Sequence, residues 1–376
     1  MRTGPSVPMD ARRVVLVHDW LTGMRGGEKV LESLCRLFPD ADILTLVHVP
    51  GSVSRTIESH RIRTSIVQRF PRRARLYRHY LPFYPAAVEG FDLDDVDLII
   101  STSHCAAKSV VPTGRAFHLC YCHSPMRYAW DQFDAYFGRE RIGAAGNAVA
   151  RPVMAWLARW DRATAGRVHH FVANSRFVAG RISRYYNRAA SVLYPPVDVE
   201  FFTPGGAPPD AYFLVVSALV PYKRIDVAIQ AARQLGVRLK IVGTGPDHDR
   251  LSALAGSDAD LLGAVDPHTL RDLYRGAQAL VLPAEEDFGI VVVESMACGR
   301  PVVALGRGGA TETVEPGVSG ILADEPTPGA FAAAMSAVRD MNVDAARLAA
   351  RAAEFSTRRF EAGFTQILQD RMAAAC

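Results

Sequence analysis

The stretch "ALVLPAEEDFGIVVVESMACGRPVVAL" (279–305) reads as a strand, a turn, a short helix and a second strand. "ALVLP" and "PVVAL" are apolar runs of strand length, and "CGRP" is a helix stop. Between them, four β-branched residues follow Gly289, which on propensity alone make a poor helix. Burial must therefore hold that helix, expected from Gly289–Ile290 to Cys298. Hydrophobic strands joined by a buried crossover helix form the repeating unit of a parallel α/β sheet.

The same rhythm extends in both directions. "RVVLVHD", "DILTLV", "DLIIS", "FHLCYC" and "HHFVAN" read as strands before residue 194, and "YFLVVSA", "LKIVG" and "DLLG" after it. Segments of helical spacing alternate with them, among them "GGEKVLESLCRLF", "SRFVAGRISRYY", "RIDVAIQAARQL" and "PHTLRDLYRGA". The rhythm pauses at "YPPVDVEFFTPGGAPPD" (194–210), where Pro and Gly concentrate. The expectation is an α/β protein of two doubly wound Rossmann-like domains, 1–200 and 201–355. A C-terminal helix, 356–376, is expected to pack back on the first domain. Two such domains would face one another across a cleft, with ligands at the carboxyl ends of the strands.

Composition narrows the class. At 376 residues, 49% apolar and 22% charged, the chain is globular rather than disordered. No apolar run reaches the roughly 18 residues that span a bilayer. "MRTGPSVPMDARR" lacks a following apolar core of signal-peptide length, so a cytoplasmic location is expected. Cysteines 35, 105, 120, 122, 298 and 376 are too scattered for a disulfide framework. The net charge of +4 is unevenly placed: residues 59–88 carry seven arginines and no acid, interleaved with aromatic and aliphatic residues. Such a segment suits an anionic membrane surface or nucleic acid. It also suits a solvated face whose arginines pair with acids elsewhere.

The chemistry concentrates where strands run into helices. A helix starting at Gly289 presents unsatisfied N–H groups and a positive dipole end, an anion site. Glu286 lies before that helix and Glu294 more than a turn inside it. Carboxylates beside an anion site should grip hydroxyls, because they accept hydrogen bonds and repel phosphate. A sugar nucleotide satisfies both demands. "VVSALVPYKRID" (215–226) places Lys223 and Arg224 after a strand, two strands away from the Glu286 turn, where cations suit a diphosphate.

Together these residues resemble glycosyltransferase family 4, retaining enzymes of GT-B fold. The resemblance spans nearly the whole chain. "HDWLTGMRGGEKVLE" (18–32) is similar to the family's glycine loop, "YCHSPMRYAWD" (121–131) to its central histidine motif, and "EEDFGIVVVE" to its Glu-x7-Glu signature. The set is most similar to bacterial mannosyltransferases that use GDP-mannose in surface polysaccharide assembly. The resemblance implies Glu286, His123, Lys223 and Arg224 as the catalytic set. It implies donor contacts at Gly26, Gly27, Lys223, Arg224, Gly243, Gly245, Phe288, Gly289, Ile290, Val291 and Glu294. It also implies a lipid-linked or growing saccharide as acceptor, with no metal and no separate cofactor. A UDP-sugar donor is the alternative, and a non-catalytic nucleic-acid-binding protein a remoter one. Many members carry Arg where this sequence has Ala218, which leaves Arg224 as the nearest replacement charge.

Other signals are weaker. "FDLDDVDLII" (91–100) contains Asp-x-Asp twice but stands before a strand, the wrong end for a metal site. His118, Cys120 and Cys122 share one strand face, about 6.6 Å apart in succession, too far for one zinc. Gly243 and Gly245, and likewise Gly308 and Gly309, suit either close ligand approach or plain turn chemistry.

Overall fold

A computed structural model describes residues 13–375. The N-terminal stretch ahead of Arg13 and Cys376 lie outside the described residues. Contacts divide the chain into two compact units, one of residues up to Pro196 together with 360 onward, the other of Val197–Arg359.

The N-terminal unit holds seven parallel strands: β1 (Val14–Leu21), β2 (Asp42–His48), β3 (Ile62–Thr64), β4 (Leu98–Ser103), β5 (Phe117–Cys122), β6 (His170–Ala173) and β7 (Ala190–Val192). Their order is β3-β2-β1-β4-β5-β6-β7. The sheet is buried on both faces, and the period-2 alternation sorts neighbouring side chains into two cores. Val15, Val17 and Ile99 join the core on one face. Leu16, Leu98 and Ile100 join the other, where Phe360, Phe364 and Leu368 of the final helix, Thr357–Ala375, cover them. Burial of each such side chain contributes about 1.5–3 kcal/mol, which ties the end of the chain to this unit.

The C-terminal unit holds six parallel strands: β8 (Tyr212–Val216), β9 (Arg238–Val242), β10 (Ala259–Gly263), β11 (Leu280–Leu282), β12 (Val302–Leu305) and β13 (Gly320–Ala323). Their order is β10-β9-β8-β11-β12-β13. Both sheets thus reverse their winding once, between β1 and β4 and between β8 and β11. At such a point the two departing loops go to opposite faces and leave a crevice at the strand ends.

Every strand read from the sequence is present. The three missed strands, β3, β7 and β13, are three or four residues long and lie at sheet edges, where few apolar residues mark them. Also missed is the 26-residue helix Arg139–Thr164, whose periodicity is broken by a non-helical Gly143 and an internal Pro152. The arginine-rich segment begins with the edge strand β3 and continues as a chain of short helical turns.

His118 in β5 is fully buried, with Nε2 2.8 Å from Ser101 Oγ. Burial pushes its pKa down to about 3. The unfolded chain therefore binds a proton that the folded protein refuses. Stability is complete above about pH 6.5 and declines below it. Between pH 6.5 and 5 the expected loss from this group is about 2 kcal/mol. Denaturant melts across that range should show the decline, and His118→Asn should flatten its slope.

Candidate active site

In the C-terminal unit the winding reversal brings the loop after β8 beside the loop after β11. The two strands are immediate neighbours, paired at Leu280 and Leu214, not two strands apart as the sequence suggested. Nor does Lys223 directly follow its strand: β8 ends at Val216, and a loop and a 3-10 turn, Pro221–Lys223, intervene. That detour carries Lys223 across the reversal, where its Nζ ion-pairs and hydrogen-bonds with Glu286 Oε1. Glu286 is 8% exposed, so this contact is shielded from water and stronger than a surface pair.

Glycines hold both loops in place. Gly309 N–H donates to Glu286 O (2.8 Å), and a Cβ at Gly309 would lie 2.4 Å from Phe288 Cα. Gly308, at φ +67°, would put a Cβ 2.3 Å from Glu286 O. On the other side, a Cβ at Gly243 or Gly245 would stand 1.8 Å from Ser217 O or 2.2 Å from Leu219 O. Backbone-on-backbone packing therefore accounts for all four glycines. Gly243 and Gly245 hold the Lys223 loop in place.

Gly289, at φ +84°, turns the chain into the helix Ile290–Ala297, and no side chain caps that helix. Gly289, Ile290 and Val291 are half-buried at its start. Its first amides thus keep their capacity to hold an anion. The Phe288 ring is buried against Phe355, with centroids 5.6 Å apart, and anchors the turn. Glu294 Oε2 accepts a hydrogen bond from Tyr274 O–H at 2.7 Å. Burial and the adjacent Glu294 carboxylate push the Tyr274 hydroxyl well above its usual pKa, so it remains a donor that orients Glu294. Arg224 takes a different course from Lys223. Its left-handed backbone, φ +50°, sends the side chain toward Asp226 (3.5 Å) and Pro326 O (3.4 Å) while Lys223 goes to Glu286. The two cations are adjacent in sequence and divergent in space.

The N-terminal unit repeats the arrangement at β1 and β4. Gly26 and Gly27 open the helix Gly26–Leu37. A Cβ at Gly27 would lie 3.6 Å from His123 Nε2 and 3.5 Å from His18 Cε1. His123 Nε2 is buried with no hydrogen-bond partner. Burial, reinforced by His104 and His18, holds this imidazole neutral, well below its ordinary range. His18 Nδ1 lies 2.6 Å from Thr102 Oγ1, and its Nε2 3.8 Å from Glu28 Oε1. Sequence reading singled out His123 alone. His18, Asp19 and His104 were missed, although "HDW" and "SHCAAK" end strands just as "YCH" does.

With this geometry in hand, comparison with known proteins is informative. The family described as Glycosyltransferase Family 4 matches residues 24–201, and Glycosyl transferases group 1 matches 198–355. The chain is 34% identical over 244 residues to D-inositol 3-phosphate glycosyltransferase of Mycolicibacterium smegmatis, covering 57% of this chain and 55% of that one. It is 36% identical over 200 residues to the enzyme of the same description from Geodermatophilus obscurus, covering 44% of each. The chain spans about half the length of the curated relatives it matches. Sucrose-phosphate synthase from Thermosynechococcus elongatus shares the fold with a TM-score of 0.74 at 17% identity, over 96% of this chain and all of that one. HepE of Anabaena, solved with UDP-glucose, gives 0.70 at 18% identity, over 95% and 99%. The chain is a GT-B, glycosyltransferase family 4-like protein.

Replacing Gly309 by Ala should drive the Glu286–Phe288 backbone away from its position. A loss of about 1–3 kcal/mol is expected from the forced contact, read as a lower Tm. Nucleotide affinity should fall with it, whereas Gly329→Ala, in open space at an ordinary backbone angle, should leave nucleotide affinity unchanged.

Proposed function

We propose that the protein is a retaining hexosyltransferase that moves a sugar, mannose from GDP-mannose, to a lipid-linked or growing saccharide acceptor. The observation that carries this reading is the convergence of Lys223, Glu286 and the uncapped Gly289 helix at one switch point. The helix amides and Lys223 receive the donor diphosphate, Glu286 holds sugar hydroxyls, and Glu294 holds the ribose diol. When the donor binds, Lys223 exchanges its carboxylate partner for phosphate oxygens, and Glu286 is released to the sugar. The bond from the anomeric carbon to the phosphate oxygen breaks. The bond to the acceptor oxygen forms on the same face, and the acceptor proton passes to the departing phosphate. Lys223 stabilises the negative charge that grows there, an electrostatic term realised chiefly in the transition state.

The mannosyl assignment rests on the motifs "HDWLTG", "CHSPMRYAWD" and "LVPYKR". A UDP-sugar donor is the second reading, favoured by the UDP-glucose bound to HepE. Thermal shift separates them: at 100 times its Kd the correct nucleotide adds about 2.7 kcal/mol, and GDP should outperform UDP. Glu286→Ala should keep the fold and nucleotide binding and lose transfer by about a hundredfold or more. Unchanged turnover would overturn the site assignment.

An anionic membrane is the proposed location of the acceptor. Arg69, Arg72, Arg73, Arg75 and Arg78 are exposed, and none pairs with an acidic side chain among the described residues. Ile66 and Phe83 stand beside them, 54% and 51% exposed. The helix Arg139–Thr164 packs on the same core and adds exposed Val149 and Trp156. Cations around exposed apolar and aromatic residues are the composition of an interfacial surface, and no helix among the described residues is long and apolar enough to cross a membrane. Each arginine near an anionic surface contributes about 1 kcal/mol. Neutralising Arg69, Arg72, Arg73 and Arg75 should therefore weaken cosedimentation with phosphatidylglycerol vesicles by roughly three orders of magnitude. Unchanged cosedimentation would refute the membrane assignment.

A further inference from the structure

Asp19 and His104 form an arrangement that the donor chemistry leaves unused. Asp19, near the end of β1, is fully buried. Its two oxygens accept the backbone N–H groups of His104 (2.7 Å), Cys105 (2.9 Å), Ala106 (2.6 Å) and Ala107 (2.7 Å). These amides belong to the loop that leaves β4, so β1 grips that loop across the switch point of its own sheet. Such a concentration of donors on one carboxylate fixes the loop backbone tightly.

The His104 ring is fixed with it. Its Nδ1 lies 3.1 Å from Asp19 Oδ2. A carboxylate oxygen accepts and does not donate, so the neutral ring carries its proton on Nδ1 and leaves a lone pair on Nε2. Trp20 meets the ring edge-on, with centroids 4.5 Å apart. The ring of His123 lies 6.2 Å away and that of His18 6.4 Å. His104 is nevertheless 33% exposed, while Asp19 is wholly covered. Among the described residues, no protein group hydrogen-bonds its Nε2. Desolvation, with smaller effects from His18 and Arg78, lowers the His104 pKa against the opposing pull of Asp19 and Glu28. At neutral pH the ring is therefore an uncharged hydrogen-bond acceptor.

We infer that His104 receives a hydroxyl of a polyhydroxylated acceptor saccharide, its Nε2 accepting the O–H, with Asp19 as the positioning residue. This rests on the glycosyl-transfer reading above and adds an acceptor contact to it. Phosphate is the wrong partner for this atom, because phosphate oxygens need donors and Nε2 has no hydrogen to give. Hydroxyl groups supply the missing donor, and the carboxyl end of β4 at the winding reversal is where a ligand of this unit is expected.

Two substitutions separate the halves of the ring. In His104→Asn the amide nitrogen can take the place of Nδ1 beside Asp19, and nothing replaces Nε2. In His104→Gln the amide oxygen reaches the Nε2 position. With GDP-mannose and a polyprenyl-diphosphate-linked saccharide as probes, His104→Asn should raise acceptor KM about tenfold, the loss of one hydrogen bond to a polar partner. His104→Gln should recover most of that loss, and neither variant should change the GDP-induced thermal shift. A wild-type acceptor KM in His104→Asn, or donor affinity falling in step with it, would overturn the assignment. The 15N spectrum of histidine-labelled protein gives a ligand-free check. His104 should show an unprotonated Nε2 at neutral pH, and the opposite tautomer would overturn the inference whatever the donor. Failure of the donor reading shows separately, as wild-type protein that neither GDP nor UDP shifts.

Discussion

A parallel sheet that changes its direction of winding cannot close over the ends of the two strands where the change occurs. The loops leaving those strands depart to opposite faces, and the space between them stays open. Each unit of this protein makes that reversal once. In the C-terminal unit it separates β8 from β11 and admits Lys223 and Glu286 to one spot. In the N-terminal unit it separates β1 from β4 and gathers Gly27, His18, His104 and His123. The candidate residues gather at these positions because the departing loops leave room there.

Room alone does not position a side chain. The loops at both reversals are long enough to adopt several conformations, and the structure removes that freedom by backbone contact. Gly308 and Gly309 press against residues 286–288, and Gly243 and Gly245 against 217–219. Asp19 does the same work by hydrogen bonding, holding four consecutive amides of the β4 loop. A glycine in such a place is required by the neighbouring chain.

The Lys223–Glu286 pair gives this frame a chemical state. With both groups largely buried, each neutralises the other, and neither is left as an isolated charge in a poorly hydrated place. The pair is close enough to hold and exposed enough to exchange. Arg224, with its left-handed backbone, reaches instead toward Asp226 and Pro326 O.

Much of this was legible in the chain. Long apolar strand runs, the Pro-Gly pause near residue 200 and the helix after Gly289 follow from local preferences, and local preferences are what a sequence expresses directly. The edge strands were not legible, because a strand three residues long acquires its identity from the partner it pairs with. The kinked helix Arg139–Thr164 was hidden by its own glycine and proline. The packing of Phe288 against Phe355, distant in sequence, was not legible either. The sequence by itself determined two doubly wound α/β units and the residue types gathered at their strand ends. Only the tertiary structure decided which of those residues meet. The Lys223–Glu286 contact and the Asp19 clamp on the His104 loop join segments far apart in the chain, and their geometry depends on strand order, which no local preference encodes.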